Sequence, residues 1–204
     1  MPQLPGSIAR YGSVDLLDLD HIELYFIARA PGFPRAGAKL QETERRWVMF
    51  DWATFMIHER GRNEALFRDL ASAFLLSFEA TLQVAKEEGG IADFETWLRA
   101  RPAYDLITRG LRTLRHLEAH VRPGVFTADH ASQVHSRFAH SALGGTIGWR
   151  WEAISGADLA KVTTRNSKLA VTELDDWNVK AADLLALGLM RHGLASLKAI
   201  LEHQ

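Results

Sequence analysis

The chain has 204 residues, 47% of them hydrophobic and 24% charged, enough to bury a sizeable core in one or at most two domains and too apolar for a disordered tail. Its 24 basic and 25 acidic residues leave a formal net charge of -1, which excludes binding of nucleic acid by bulk electrostatics and confines any phosphate-binding surface to one locality. Cysteine is absent, and with it disulfides, thiolate nucleophiles and Cys-ligated metal centres.

The opening stretch, MPQLPGSIARYGS, has no basic region leading into an apolar run, and no stretch of about 18 apolar residues follows elsewhere. The expectation is a soluble, cytoplasmic protein with no membrane partner. In chain order, a first helix is predicted over Val14–Ala30, broken by Pro31-Gly32-Phe33-Pro34. A second, Leu40–Arg60, is apolar nearly all round through Trp47 to Ile57 and should lie centrally. After a cap at Asn63, Phe67, Leu70, Phe74 and Phe78 form the stripe of a third helix that stops at Gly89-Gly90 and packs antiparallel to the second.

A short piece around Ala92–Ala100 carries Trp97, and Pro102 then stands where a helix can begin. In that helix Ile107, Leu111, Leu114, Leu117 and Val121 build one buried seam, and Pro123-Gly124 ends it. Residues 122–171 are the least regular. Within them Thr146–Ala153 alternates, with Ile147, Trp149 and Trp151 on one side, as a short strand or hairpin arm would. The last long helix opens on Thr172-Glu173-Leu174-Asp175, which reads as a capping box, and runs through Leu187, Met190, Leu194, Leu197 and Leu201. The expected fold is all-α, a single domain over residues 1–204: a bundle of five or six helices with a short irregular or β-like insertion before the last.

Chemistry concentrates in one region. Between Arg99 and Arg150 the chain places Arg99, Arg101, Arg109, Arg112, Arg115, Arg122, Arg137 and Arg150 against only Asp105, Glu118 and Asp129, together with His116, His120, His130, His135 and His140. On a helix, Arg109, Arg112, His116 and His120 fall within about 80° of one another, opposite the apolar seam. Guanidiniums hold phosphate oxygens, and imidazoles exchange protons near neutral pH. Together they can cleave a phosphodiester without metal, one group activating the 2′-hydroxyl of RNA and others stabilising the pentavalent phosphate.

The stretch Arg115-His116-Leu117-Glu118-Ala119-His120 resembles the signature of the HEPN superfamily, an Arg followed after four to six residues by His, with a polar residue directly after the Arg. The amphipathic helix in an all-helical chain is similar to that family's setting. The resemblance implies a metal-independent endoribonuclease of the toxin-antitoxin or defence type, working as a homodimer whose two motifs face each other. It further implies an antitoxin partner and no cofactor. Carried over, Arg115 would stabilise the phosphate, His120 would be the acid/base and His116 would take the polar second position; apart from the resemblance, the shared helix face makes Arg109, Arg112 and His116 expected substrate-binding residues, and Arg150 between its two tryptophans another. Arg115 and His120 lie about 140° apart around one helix, so a second copy would be needed to bring them into one site.

Two other classes compete: a non-catalytic helical module whose arginines dock an acidic partner, and a His-ligated metal protein. His116 and His120, at i and i+4, can reach one ion, whereas His130, His135 and His140 are spaced so as to diverge on a helix. No His-Glu-x-x-His occurs, and no Glu is followed three residues later by His. Trp149 and Trp151 around Arg150 either stack bases or anchor a loop on the bundle. Asp51, between Phe50 and Trp52, is either a buried acid or part of a polar stripe. His58-Glu59-Arg60 reads as a polar helix end, and His192 faces away from the last helix's apolar side.

Overall fold

A computed structural model describes residues 33–57, 64–89, 98–100, 102–120, 126–134, 146–162 and 169–202. The helix expected over Val14–Ala30, residues 92–97 of the segment carrying Trp97, His58-Glu59-Arg60 and the turn at Pro123-Gly124 lie outside them. Among the described residues the fold is all-α, with five α-helices and one β-hairpin. The helices are α1 (Pro34–Ile57), α2 (Glu64–Gly89), α3 (Pro102–His120), α4 (Gly156–Lys161) and α5 (Leu174–Glu202), and the strands are β1 (Phe126–Val134) and β2 (Thr146–Trp151).

Helices α1 and α2 form an antiparallel hairpin. Helix α1 begins at Pro34, six residues before the expected start, because proline at the first helical position loses no hydrogen bond and already has a helical φ. No acidic side chain stands in its first turn. Glu88, at the far end of α2, supplies the cap instead: its Oε1 and Oε2 accept from the amides of Arg35 at 2.9 Å and Ala36 at 2.8 Å. A carboxylate at that end also meets the positive pole of the helix dipole. Midway along the hairpin the Thr43 hydroxyl meets those of Ser77 at 2.8 Å and Thr81 at 3.0 Å. Thr43 and Thr81 also donate to carbonyls one turn back, so these buried hydroxyls have partners. At the other end Phe50 meets Phe67 edge to face, ring centres 5.4 Å apart.

The other elements close over this hairpin. Helix α3 buries Ile107, Leu111, Leu114 and Leu117, the seam expected from their spacing. Strands β1 and β2 pair antiparallel, with an irregularity in register between Asp129 and Gln133, so the β-like insertion is a two-stranded ribbon. Trp149 and Trp151 on β2 are buried while Arg150 between them is exposed, the alternation that a strand imposes. Trp149 stacks on Phe67 at 4.5 Å. After β2, the Asn178 side chain of α5 accepts from the Ile154 amide at 2.9 Å and donates to its carbonyl at 3.0 Å, fixing the turn into α4. Ser155 caps α4 by accepting from the Asp158 amide.

The last helix departs from expectation in two ways. Its first turn is 3₁₀, Val171–Glu173, with Ala170 rather than Thr172 at the cap position, and Glu173 folds back to accept from the Ala170 amide at 2.8 Å. Then Leu185 breaks the helix with φ 55° and ψ 177°, a conformation that costs a side-chain-bearing residue about 1–3 kcal/mol. Two residues later the Leu187 carbonyl accepts from Trp47 Nε1 at 3.1 Å, which ties the second half of α5 to α1. The stretch Val171–Leu201 is long and apolar enough to cross a membrane by length and composition alone. Its most apolar window is 67% buried within the protein, as in a core helix.

Trp177, 1% exposed, packs closely on α3 at Gly110. A Cβ at position 110 would stand 2.1 Å from Cε3 and Cζ3 of that indole, far inside van der Waals contact. Gly193 makes a similar notch for Leu111 and Phe78. We expect Gly110→Ala to lower stability by about 1–3 kcal/mol from overpacking, although alanine favours a helix by about 1 kcal/mol. Denaturant unfolding of the two proteins measures the difference.

Candidate functional site

The arginines and histidines expected to share one open face of α3 occupy three different environments. Arg109 is buried, 7% exposed, and its guanidinium lies between two carboxylates. Nε and a terminal nitrogen donate to Asp105 Oδ1 and Oδ2 at 2.7 and 2.5 Å, and the terminal nitrogen also donates to Glu173. Burial opposes its charge, but the bonds to Asp105 and Glu173 outweigh that and hold it charged. One turn on, the buried Thr113 hydroxyl donates to the Arg109 carbonyl at 2.8 Å and accepts from the Leu169 amide at 3.0 Å. Residues 169–173 therefore strap across this part of the face, and the expectation that Arg109 contacts RNA is corrected to a structural role.

Arg112 turns toward α2. Its Nε and a terminal nitrogen donate to the two carboxylate oxygens of Glu79 at 2.9 and 3.1 Å, a paired geometry that satisfies the fork of the guanidinium. This arginine too is spent within the fold, in place of the substrate contact expected of it. Below it, half-buried Glu118 accepts a hydrogen bond from Ser72 of α2. Burial pushes the Glu118 carboxyl above its ordinary range, opposed by Ser72, Arg115 and Arg68 and assisted by Asp69.

The C-terminal end of α3 is different. Arg115 is half-buried and exerts its charge on Glu118 and His116, but it takes no part in the clamps that hold Arg109 and Arg112. His116 is half-buried and His120 exposed, with ring centres 5.0 Å apart and planes at 84°. Burial lowers the pKa of His116, and the charges of His120, Arg115 and Arg112 lower it further against the opposing pull of Glu79. The helix thus brings His116 to His120, whereas Arg115 stays about 140° around the axis from His120.

Arg150 is exposed on the hairpin, while the rings beside it, Trp149 and Trp151, are buried in the core and cannot stack bases. Asp51 is fully buried, and His192 is exposed on α5. The side chains of His130, His135 and His140 lie outside the described residues. Among the described residues no group of three or more His, Asp or Glu could hold a metal ion.

Three partners of these arginines were missed by the sequence reading. Asp105 stands four residues before Arg109, a pairing that helix spacing could have revealed. Glu79 and Glu173 are brought in by the tertiary fold, 33 residues from Arg112 and 64 from Arg109, and nothing local announces them. In comparison with known proteins, no family model, curated protein or solved structure matches the chain.

Two outcomes follow from the clamp. Asp105→Ala, which leaves the Arg109 charge buried and half-answered, should cost about 3 kcal/mol in denaturant unfolding. Burial raises the pKa of Glu173, but the hydrogen bonds from Arg109 and the Ala170 amide outweigh it and the net shift is downward. Its contribution is therefore present above the ordinary glutamate range and lost as pH falls through the lowered value. In Glu173→Gln this acid loss should disappear, giving a flatter stability profile below the ordinary glutamate range.

Proposed function

We propose that this protein is a HEPN-like, RNA-directed endoribonuclease that works without metal and as a homodimer, with Arg115 and His120 as its reactive groups and His116 in support. The observation that carries this reading is the separation of charges along α3. Arg109 and Arg112 are bound by carboxylates of the fold, while the Arg115/His116/His120 group stands at the helix end, with His120 exposed.

An imidazole there accepts the 2′-hydroxyl proton, the freed oxygen attacks phosphorus, and the 5′-oxygen leaves with a proton from an imidazolium. The guanidinium steadies the negative charge on the pentavalent phosphate. Because Arg115 and His120 diverge on one helix, the pair that meets at a phosphate would come from two copies, one across from the other. The near-zero net charge agrees with RNA held at one place rather than over a broad surface. A defence or toxin-antitoxin setting, with a protein antitoxin, belongs to the same proposal. A module that docks an acidic partner through Arg109 and Arg112 has less support, since both guanidiniums already hold carboxylates.

Purified protein should cut RNA in excess EDTA and leave a cyclic phosphate end. His120→Ala should reduce cutting by about 10²–10⁴-fold with helix content unchanged by circular dichroism, and Arg115→Ala should act in the same direction. Cutting that requires added metal, or survives His120→Ala, overturns the proposal.

A further inference from the structure

His116 and His120 are held by one helix at adjacent turns, four residues apart, with ring centres 5.0 Å apart and planes at 84°. A metal ion that takes one nitrogen from each of two imidazoles fixes that separation. With metal–nitrogen bonds of about 2.0–2.1 Å, a tetrahedral angle between them and each ring centre about 1.1 Å behind its nitrogen, the ring centres fall about 5 Å apart. The ring centres stand at that spacing, and one helix carries both imidazoles.

Charges of both signs surround His116, Glu79 of α2 favouring a cation there and Arg112 and Arg115 of α3 opposing it. The Arg112 charge is answered by its salt bridge to Glu79. His120 is exposed, so an ion can reach the pair from solvent. Imidazole is a ligand for zinc and its neighbours in the transition series rather than for magnesium or calcium, which take oxygen.

We propose that His116 and His120 form a chelating site for a divalent transition metal such as Zn²⁺. Two protein nitrogens hold the ion and solvent fills its remaining positions, since among the described residues no third His, Asp or Glu completes a cluster. The binding step stands on the geometry of the pair alone. Its consequence rests on the reading of His120 as acid/base: an ion on that imidazole takes up the lone pair that would accept the 2′-hydroxyl proton, so zinc switches RNA cleavage off.

Isothermal titration of the full, untagged chain with ZnCl₂ is the test, together with ¹⁵N spectra of the imidazoles. One ion per chain is expected, with the ring nitrogens of His116 and His120 shifting together. His116→Ala and His120→Ala should each abolish this site, with helix content unchanged, while His192→Ala should retain it. Absence of Zn²⁺ binding, or binding that persists in both His116→Ala and His120→Ala, overturns the site. On RNA, saturating Zn²⁺ should stop cleavage and EDTA should restore it; cleavage that continues with the ion bound overturns the switch. If RNA is never cut yet Zn²⁺ binds through these two residues, the ribonuclease reading and its switch fail and the metal site stands.

Discussion

A guanidinium taken out of water loses hydration worth several kcal/mol, and it remains inside a protein only where carboxylates return that energy. Arg109 meets this condition through Asp105 on its own helix and Glu173 at the entry to α5. The ion triad joins the start of α3 to the segment that leads into the last helix. With the Thr113 contact to Leu169 it fixes the level at which Trp177 enters the notch over Gly110. Because one cation serves two anions, removing either partner changes the balance for the other. The packing of α5 on α3 and the chemistry available on α3 therefore follow from one buried charge.

That constraint divides the basic residues of α3 by position along the helix. In the first half the strap of residues 169–173 covers the face. In the middle, Arg112 is drawn across to α2 by Glu79. Only beyond those contacts, where α3 reaches its last turns, do the remaining groups of the Arg115-to-His120 stretch come near the surface. A cluster that looks continuous on a helical wheel is thus graded from structural to solvent-facing. Chemistry that needs a mobile proton or an incoming phosphate is confined to the far end.

Much of the fold is legible in the residues themselves. Pro102 marks the start of α3, the Ile107-to-Leu117 spacing marks its buried side, Gly89 ends α2, and the alternation around Trp149 and Trp151 betrays the hairpin. These signals are local and repeat with the period of the element they build. The rest depends on partners distant in sequence. The early start of α1 relies on Glu88 from the end of α2, and the break at Leu185 falls within an apolar run that carries no proline to announce it. The site fails for the same reason: residue type and helix phase grouped Arg109 and Arg112 with the histidines, but carboxylates 33 and 64 residues away decide where those guanidiniums point. The adjacency of His116 and His120, by contrast, is set by a four-residue step and could be read directly.

The notch at Gly110 bears on how this chain can change over evolutionary time. A hydrogen is the only side chain the indole of Trp177 tolerates there, so residue 110 cannot enlarge by itself. Enlarging residue 110 demands a smaller residue at 177, and shrinking Trp177 first would open a void that a larger residue at 110 could then occupy. Descendants of this sequence should show the two sites covarying across a gap of 67 positions, a pairing that would mark the α3–α5 contact even where the rest of the chain has diverged.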